Sequence, residues 1–560
     1  MQVKVHKIPI TLGVVGHRDI VFTAAHRRVI ENILNAIHTR YPHSPVVLFS
    51  QLATGADTEV AKVFLEVKEK TGRDYRLYVP LPFDKAYYEK NQFAGREELE
   101  TFRQLLQKAE RHFVLHKLSN NAKKILDTNA TAYPEEIDTL FRNGGEFIAD
   151  SSPVLIALWD LVDNHLQGGT ANTVYYKKHG SYKKYISEHI FDKEGNLIVV
   201  PCNRKNQNKA LSFEKSTLET LLKDTSIKKA LDKIEELNTD LQKIDKEKFY
   251  QNAGYLFPDN IALDDNARKL KSFFALADTL AIDNQKKYTN LLRFFFVLGF
   301  VIFGVFEAYK HLGLENVLFG FTIGLIVFAF SIFHFSFNWK NHKKYIENRV
   351  LAEALRVQFF WYLSRIRESV SNYILRIHKK EYHWISHILS SVYGLTFDLD
   401  SPAVPLPEIK ENWIEDQKAY FKRNIEKLEK KEQQHKIISY LTFTLGVVLL
   451  FGVYFLNKKE EWHHYLHGLI VLDSIVFGIF ALIKAYYEKR GYEQIKTQYE
   501  LMRDIYTASS KKLNELDKIK PVNKDKIKNI LLLTGKEAVV ENGNWYMIYK
   551  DKKPEVEGIG

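Results

Sequence analysis

The chain has 560 residues, enough for two or three domains, with 45% hydrophobic residues and a net charge of +12. Its single cysteine, Cys202, excludes a disulfide framework and suits a reducing compartment. The basic residues concentrate beside long apolar segments, where anionic lipid attracts them, which argues against direct nucleic acid binding.

The opening MQVKVHKIPITLGVVGH has too short an apolar run for a secretory signal and leads straight into a strand. Ile8–Val15, Val46–Ser50, Tyr75–Val79, Val154–Trp159 and Leu197–Val200 read as buried strands, rich in β-branched and large apolar residues. Helical spacing fills Thr23–Arg40 and Asp57–Lys70 between them. Such alternation predicts a parallel sheet covered on both faces, with ligands at the carboxyl ends of its strands. Arg96–Asp150 interrupts the pattern and reads as an insertion or cap near that edge. Ser212–Lys248 reads as a charged helical connector toward the apolar segments.

The residues after the strands carry the chemistry. Gly16-His17-Arg18-Asp19 follows the first strand; the glycine permits a tight turn, and His17 and Arg18 suit an anionic group. Thr54-Gly55-Ala56-Asp57 follows the second and opens a helix, whose free N–H groups favour phosphate or ribose oxygens. Gln167-Gly168-Gly169-Thr170 comes after Val154–Trp159, with two glycines for close backbone approach and a threonine hydroxyl as a donor. Three such turns at one sheet edge favour a phosphate-containing ligand. Asp57 and Asp160 are carboxylates that could cap a helix, bind a ribose hydroxyl or do chemistry. No zinc-ligand spacing or nucleophile elbow occurs, and Cys202 reads as packed beside the last strand, so neither metal nor cofactor is expected.

GVVGHRD, LATGADTEVAKVFLE, VPLPFDKAYYEKNQ and SSPVLIALWD followed by QGGTANTV resemble the SLOG superfamily of Rossmann-like domains, over about residues 8–202. That superfamily includes nucleotide-processing enzymes of the lysine-decarboxylase-like group and sensors of nucleotide-derived signals in prokaryotic conflict systems. The enzymes carry a glutamate after the glycine-rich turn and its threonine. Here Thr170 is followed by Ala171, Asn172, Thr173 and Val174, so the resemblance implies binding without catalysis.

Leu291–Tyr309, Val317–Phe337, Ile437–Leu456 and Gly468–Tyr487 each approach the about 20 residues that cross a bilayer as a helix. They predict two hairpins with polar connectors at Lys310–Asn316 and Asn457–His467. Lys286, Lys287, Arg293, Lys340, Lys343, Lys344 and Arg349 flank the first hairpin, and Lys427, Lys430, Lys431, Lys436, Lys484, Lys489 and Arg490 the second. The connectors pair Lys310, Lys458 and Lys459 with Glu315, Glu460 and Glu461. The positive-inside rule then puts both termini and the middle segment in the cytoplasm; the resemblance to prokaryotic conflict proteins implies a bacterial inner membrane. Within the spans, Asp473 should face a helix interface or a watery path, and His334 lies near the cytoplasmic end of its helix. Gly320 and Gly324 have the spacing of a small-residue packing contact.

Ala277-Asp278-Thr279-Leu280-Ala281 and Arg349-Val350-Leu351-Ala352-Glu353-Ala354-Leu355-Arg356-Val357-Gln358, with Trp361, are similar to SLATT-type effector domains. Trp413, Gln417 and Tyr420 are similar to recurrent elements of such proteins. Glu353 and Arg356 share a helix face and are candidate coupling residues. The expected organisation is a SLOG-like domain over 1–205 with 96–150 as its insertion, a connector over 206–270, two-helix membrane units over 271–400 and 401–520, and a tail over 521–560. The resemblances imply a homo-oligomeric antiviral effector that senses a nucleotide second messenger, made by an enzyme encoded nearby, and permeabilises the membrane. The alternative is a membrane-anchored nucleotide hydrolase or N-glycosidase.

Overall fold

The computed structural model describes residues 4–128, 132–162, 168–180, 196–311, 315–336, 340–401, 403–458, 463–519, 521 and 523–550. They form two compact units: Met1–Ala277 with Ala354–Val404, and Asp278–Glu353 with Pro405–Gly560.

The first unit is built on β1 (Ile10–Gly16), β2 (Val46–Phe49), β3 (Tyr75–Leu81), β4 (Arg111–Val114), β5 (Val154–Trp159) and β6 (Leu197–Pro201). All neighbours pair in parallel, in the order β4-β3-β2-β1-β5-β6, with Ile10 opposite Val46 and Leu12 opposite Val154. The helices are α1 (Ala24–Arg40), α2 (Ala56–Thr71), α3 (Lys85–Asn91), α4 (Arg96–Lys108), α5 (Asn120–Thr128), α6 (Glu135–Ser151) and α7 (Thr170–His179). Apart from Thr11, β1, β2 and β5 carry no polar side chain and are buried at nearly every position, as a sheet covered on both faces requires. From β1 the chain works outward through β2, β3 and β4, then returns to add β5 and β6 on β1's other side. The ends of β1 and β5 therefore flank the point where strand order reverses, the place where open α/β sheets have a crevice.

Two expectations are corrected here. Arg96–Asp150 is more than an insertion, because α4 leads into β4, which adds an edge strand to β3. Those four residues, Arg111-His112-Phe113-Val114, carry two basic side chains and escape an apolar-run criterion. Ser212–Lys248 is not a free connector either. After α8 (Leu218–Leu221) come α9 (Thr225–Leu241) and α10 (Lys246–Leu256), and α9 buries Ile227, Leu231, Ile234 and Leu237. Asn238, fully buried on α9, accepts from the Ile8 N–H at 2.9 Å and donates to the Ile8 carbonyl at 2.8 Å, tying the chain just before β1 to this helix.

α11 (Asp265–His311), α12 (Glu315–Ser336), α13 (Lys340–Leu363) and α14 (Arg376–Thr396) follow. α14 belongs to the α/β unit: its Ser391 hydroxyl meets Thr11 of β1 at 2.8 Å, and Arg111 donates to the carbonyls of Leu395 and Phe397. Trp384, Ile385, Ile388 and Leu389 of α14 are buried, so the α/β unit takes in chain expected in the first membrane unit.

The second unit is helical, completed by α15 (Leu406–Ile409), α16 (Asp416–Asn457), α17 (His463–Arg490), α18 (Tyr492–Lys518) and α19 (Lys524–Lys550). Asp265–Tyr309, Leu406–Asn457 and Tyr465–Lys518 contain stretches long and apolar enough to cross a membrane, and α12 holds a shorter apolar helix, Phe319–Ala329. Their large side chains point outward: Val297 is 62% exposed, Val448 60% and Phe455 63%. In water this would be an aggregation surface; in lipid it is the favoured arrangement. Gly446 and Gly478 pack beneath Phe477 and Phe303, whereas a Cβ built on Gly320 or Gly324 meets, among the described residues, nothing within 4 Å beyond its own helix backbone. Lys524–Lys550, within the expected tail, is a packed helix that buries Leu531, Val539 and Tyr546.

Candidate functional site

At the switch point the chain turns out of β1 through Gly16 into His17, Arg18 and Asp19. The His17 N–H donates to the Leu158 carbonyl of β5 at 3.4 Å, and its carbonyl accepts from Ala56 of α2 at 3.1 Å. Gly55, the N-cap of α2, has φ +91°; a Cβ there would lie 2.6 Å from the His17 carbonyl oxygen and closer still to that of Arg18. Only glycine lets these two turns nest. Gly168 has φ +75° and sits against α6, where a Cβ would lie 3.1 Å from the Asp138 carbonyl oxygen and 3.2 Å from the Phe141 Cβ. Gly169 is extended and serves as N-cap of α7, with Thr170 as its first residue. Of the QGGT motif, Gln167 lies outside the described residues.

His17 is the hub. Its Nε2 lies 2.9 Å from Asp160 Oδ1, and its Nδ1 lies 2.9 Å from Arg204 Nη2 and 3.5 Å from Thr170 Oγ1. A guanidinium can only donate, so Nδ1 accepts and the ring proton sits on Nε2, directed at Asp160. Burial holds His17 below its ordinary pKa and outweighs the Asp160 bond, so the ring is neutral at pH 7. Asp160 is lowered as well, for a different reason. Burial raises it, but bonds from the Val162 N–H at 3.1 Å, His17 and Gln207 Nε2 at 3.1 Å prevail, and its carboxyl stays below the usual range.

Asp57 follows α2's first residue and is buried. Burial pushes its pKa up to about 7, against backbone N–H bonds from Gln51 and Ala53 and the nearby Arg18 charge. Both carboxylates weighed for chemistry are thus filled by protein donors and brace the loops that carry them. Thr54 is turned toward α4, donating to Glu98 at 3.3 Å. Asp19 lies 3.7 Å from Arg204. Arg18 is exposed, donates to Gln92 at 2.7 Å and has its guanidinium 5.2 Å from the Phe141 ring centre.

The turns after β1, β2 and β5 therefore converge, with the N-termini of α2 and α7 both touching His17. Such termini carry a partial positive charge that favours an anion. Sequence reasoning missed Arg204 and Gln207, although they follow a predicted strand and the same carboxyl-end rule would have found them. Phe141 carried no such signal, because it lies on the helix before β5.

The other candidates belong to other elements. Arg349 pairs with Asp278 at 3.1 Å and with Glu353 at 2.6 Å. Arg356 is buried with its guanidinium 5.1 Å from the Phe274 ring centre, which makes it core rather than helix surface. Asp473 lies within α17; His334 lies within α12, its side chain outside the described residues. Among the described residues no group of three or more His, Cys, Asp or Glu could hold a metal ion. Comparison with protein-family models and with curated proteins finds no match to this chain.

Proposed function

We propose that the chain is a multi-pass membrane effector of a prokaryotic antiviral system, whose SLOG-like α/β unit senses a nucleotide-derived second messenger. Ligand binding at the switch point reorganises an oligomer of SLATT-like helices, which then permeabilise or depolarise the inner membrane. In this reading α12 supplies the fourth span, beside the three helices long and apolar enough to cross, and both termini lie in the cytoplasm. Four helices of one chain enclose little space, so the open state is a closed symmetric assembly of several copies. The signal shifts the equilibrium by binding that state more tightly.

The observation that carries the sensing role is the engagement of both switch-point carboxylates. Asp160 accepts from Val162, His17 and Gln207, and Asp57 from two backbone N–H groups. An edge of this kind can hold an anion at its helix N-termini, while Asp57 and Asp160 accept from the loops that carry them. The test is calorimetric titration of the full chain in detergent with nucleoside phosphates, paired with chromatography of the recovered ligand. Saturable binding with the nucleotide recovered intact supports the sensor. Steady turnover establishes the membrane-anchored hydrolase instead. A fragment ending near residue 205 is unsuitable, since it cuts away α9 and α14 and exposes the faces that Ile8 and Thr11 use.

A further inference from the structure

Arg18 has a second use beyond its charge. Its side chain is exposed at the mouth of the edge, yet held in place: Nη2 donates to Gln92 Oε1 at 2.7 Å, and Phe141 lies on one side of the guanidinium, 5.2 Å from ring centre to guanidinium carbon. Both supports are themselves fixed. Gln92 caps α3, its N–H bonded to the Tyr88 carbonyl at 3.1 Å. Phe141 packs edge-on against Phe83 at 5.5 Å, with Tyr88 at 6.3 Å. A guanidinium bonded to an amide oxygen and set beside an aromatic ring is held in place rather than swinging in water, which leaves one side of it presented outward. Its position is equally specific. The Arg18 carbonyl abuts Gly55 at the N-terminus of α2, and Phe141 abuts Gly168 just before α7. The stacked pair therefore lies between the two helix N-termini proposed to take phosphate.

From this we infer that the Arg18–Phe141 pair is a stacking platform for the base of a purine nucleotide, with Gln92 holding the guanidinium plane. The inference rests on the phosphate-site reading above and adds the part of the ligand that reading leaves open. Guanidinium planes and aromatic rings stack on nucleobases, a larger base gaining more from the contact than a smaller one. A ligand with phosphate but no base would leave the platform idle.

The experiment uses the full chain in detergent with AMP, GMP, CMP, UMP and ribose 5-phosphate as probes, read by calorimetry and saturation-transfer NMR. AMP and GMP are expected to bind about 5- to 100-fold more tightly than ribose 5-phosphate, the range that stacking of one base supplies. CMP and UMP should fall between. Arg18→Lys keeps the charge and removes the plane, so AMP and GMP should lose several-fold more affinity than ribose 5-phosphate does. Gln92→Leu, on the surface end of α3, should reduce the same advantage in part. Equal affinity of the parent for AMP and ribose 5-phosphate overturns the platform but leaves the phosphate site standing. Equal weakening of both probes by Arg18→Lys also overturns it, making the guanidinium a fork for phosphate rather than a platform for the base. Failure of every probe to bind removes the phosphate-site reading, and the platform with it.

Discussion

Replacing Gly55 by alanine tests how tightly the first two turns are locked together. At φ +91° a residue with a Cβ sits in a region that costs about 1–3 kcal/mol. The added carbon would also press on the carbonyl oxygens of both His17 and Arg18, which are backbone atoms and cannot rotate away. The nested turns must part. Gly72 provides the internal control, with φ +65° but nothing within 4 Å of a built Cβ, so Gly72→Ala carries only the backbone term, about 1–2 kcal/mol. Scanning fluorimetry of the full chain should therefore show Gly55→Ala melting several degrees below Gly72→Ala. Phosphate-probe affinity should drop at least about tenfold in the first variant and not in the second. Equal melting temperatures and equal affinities for the two variants would refute the nesting of these turns.

Burial depresses the His17 pKa below 6.5, so its neutral form contributes stability that is full above pH 6.5 and declines as pH falls toward the folded value. Parent minus His17→Gln, measured as melting temperature, should shrink between pH 7.5 and pH 5; a constant difference contradicts the neutral-imidazole network. Taking that difference cancels Asp57, which is pushed up to about 7 and acts with the opposite sign. For membrane orientation, Asp400→Cys should react with an impermeant maleimide only after cells are opened, against little background from the buried Cys202. Labelling in intact cells would place the middle segment outside and break the two-hairpin arrangement.

The central strands were legible because β1, β2 and β5 are buried on both faces and so read as nearly uninterrupted apolar runs. β4 was not, since a short edge strand keeps charged residues such as Arg111. The site's glycines were legible from their places after strands, though backbone geometry reassigns the demand: Gly168, not Gly169, needs the left-handed region. Arg356 shows a different limit. Three-residue spacing from Glu353 suggested a surface pair worth a few tenths of a kcal/mol. Burial over Phe274 means instead that Arg356→Glu would place an uncompensated carboxylate in the core, and a loss of activity in that variant would report unfolding rather than coupling. Helix periodicity shows which residues share a face. It does not show which face another segment, 200 residues away, will cover, as α9 and α14 cover the sheet.

The most direct measurement reconstitutes the full chain in potassium-loaded liposomes carrying a potential-sensitive dye and adds the nucleoside phosphates found to bind. Depolarisation that requires ligand, saturates at the concentration of half-maximal binding and is lost in Gly55→Ala is the predicted result. Unchanged potential at saturating, bound nucleotide, or leakage of the same size without it, would contradict a nucleotide-gated membrane effector.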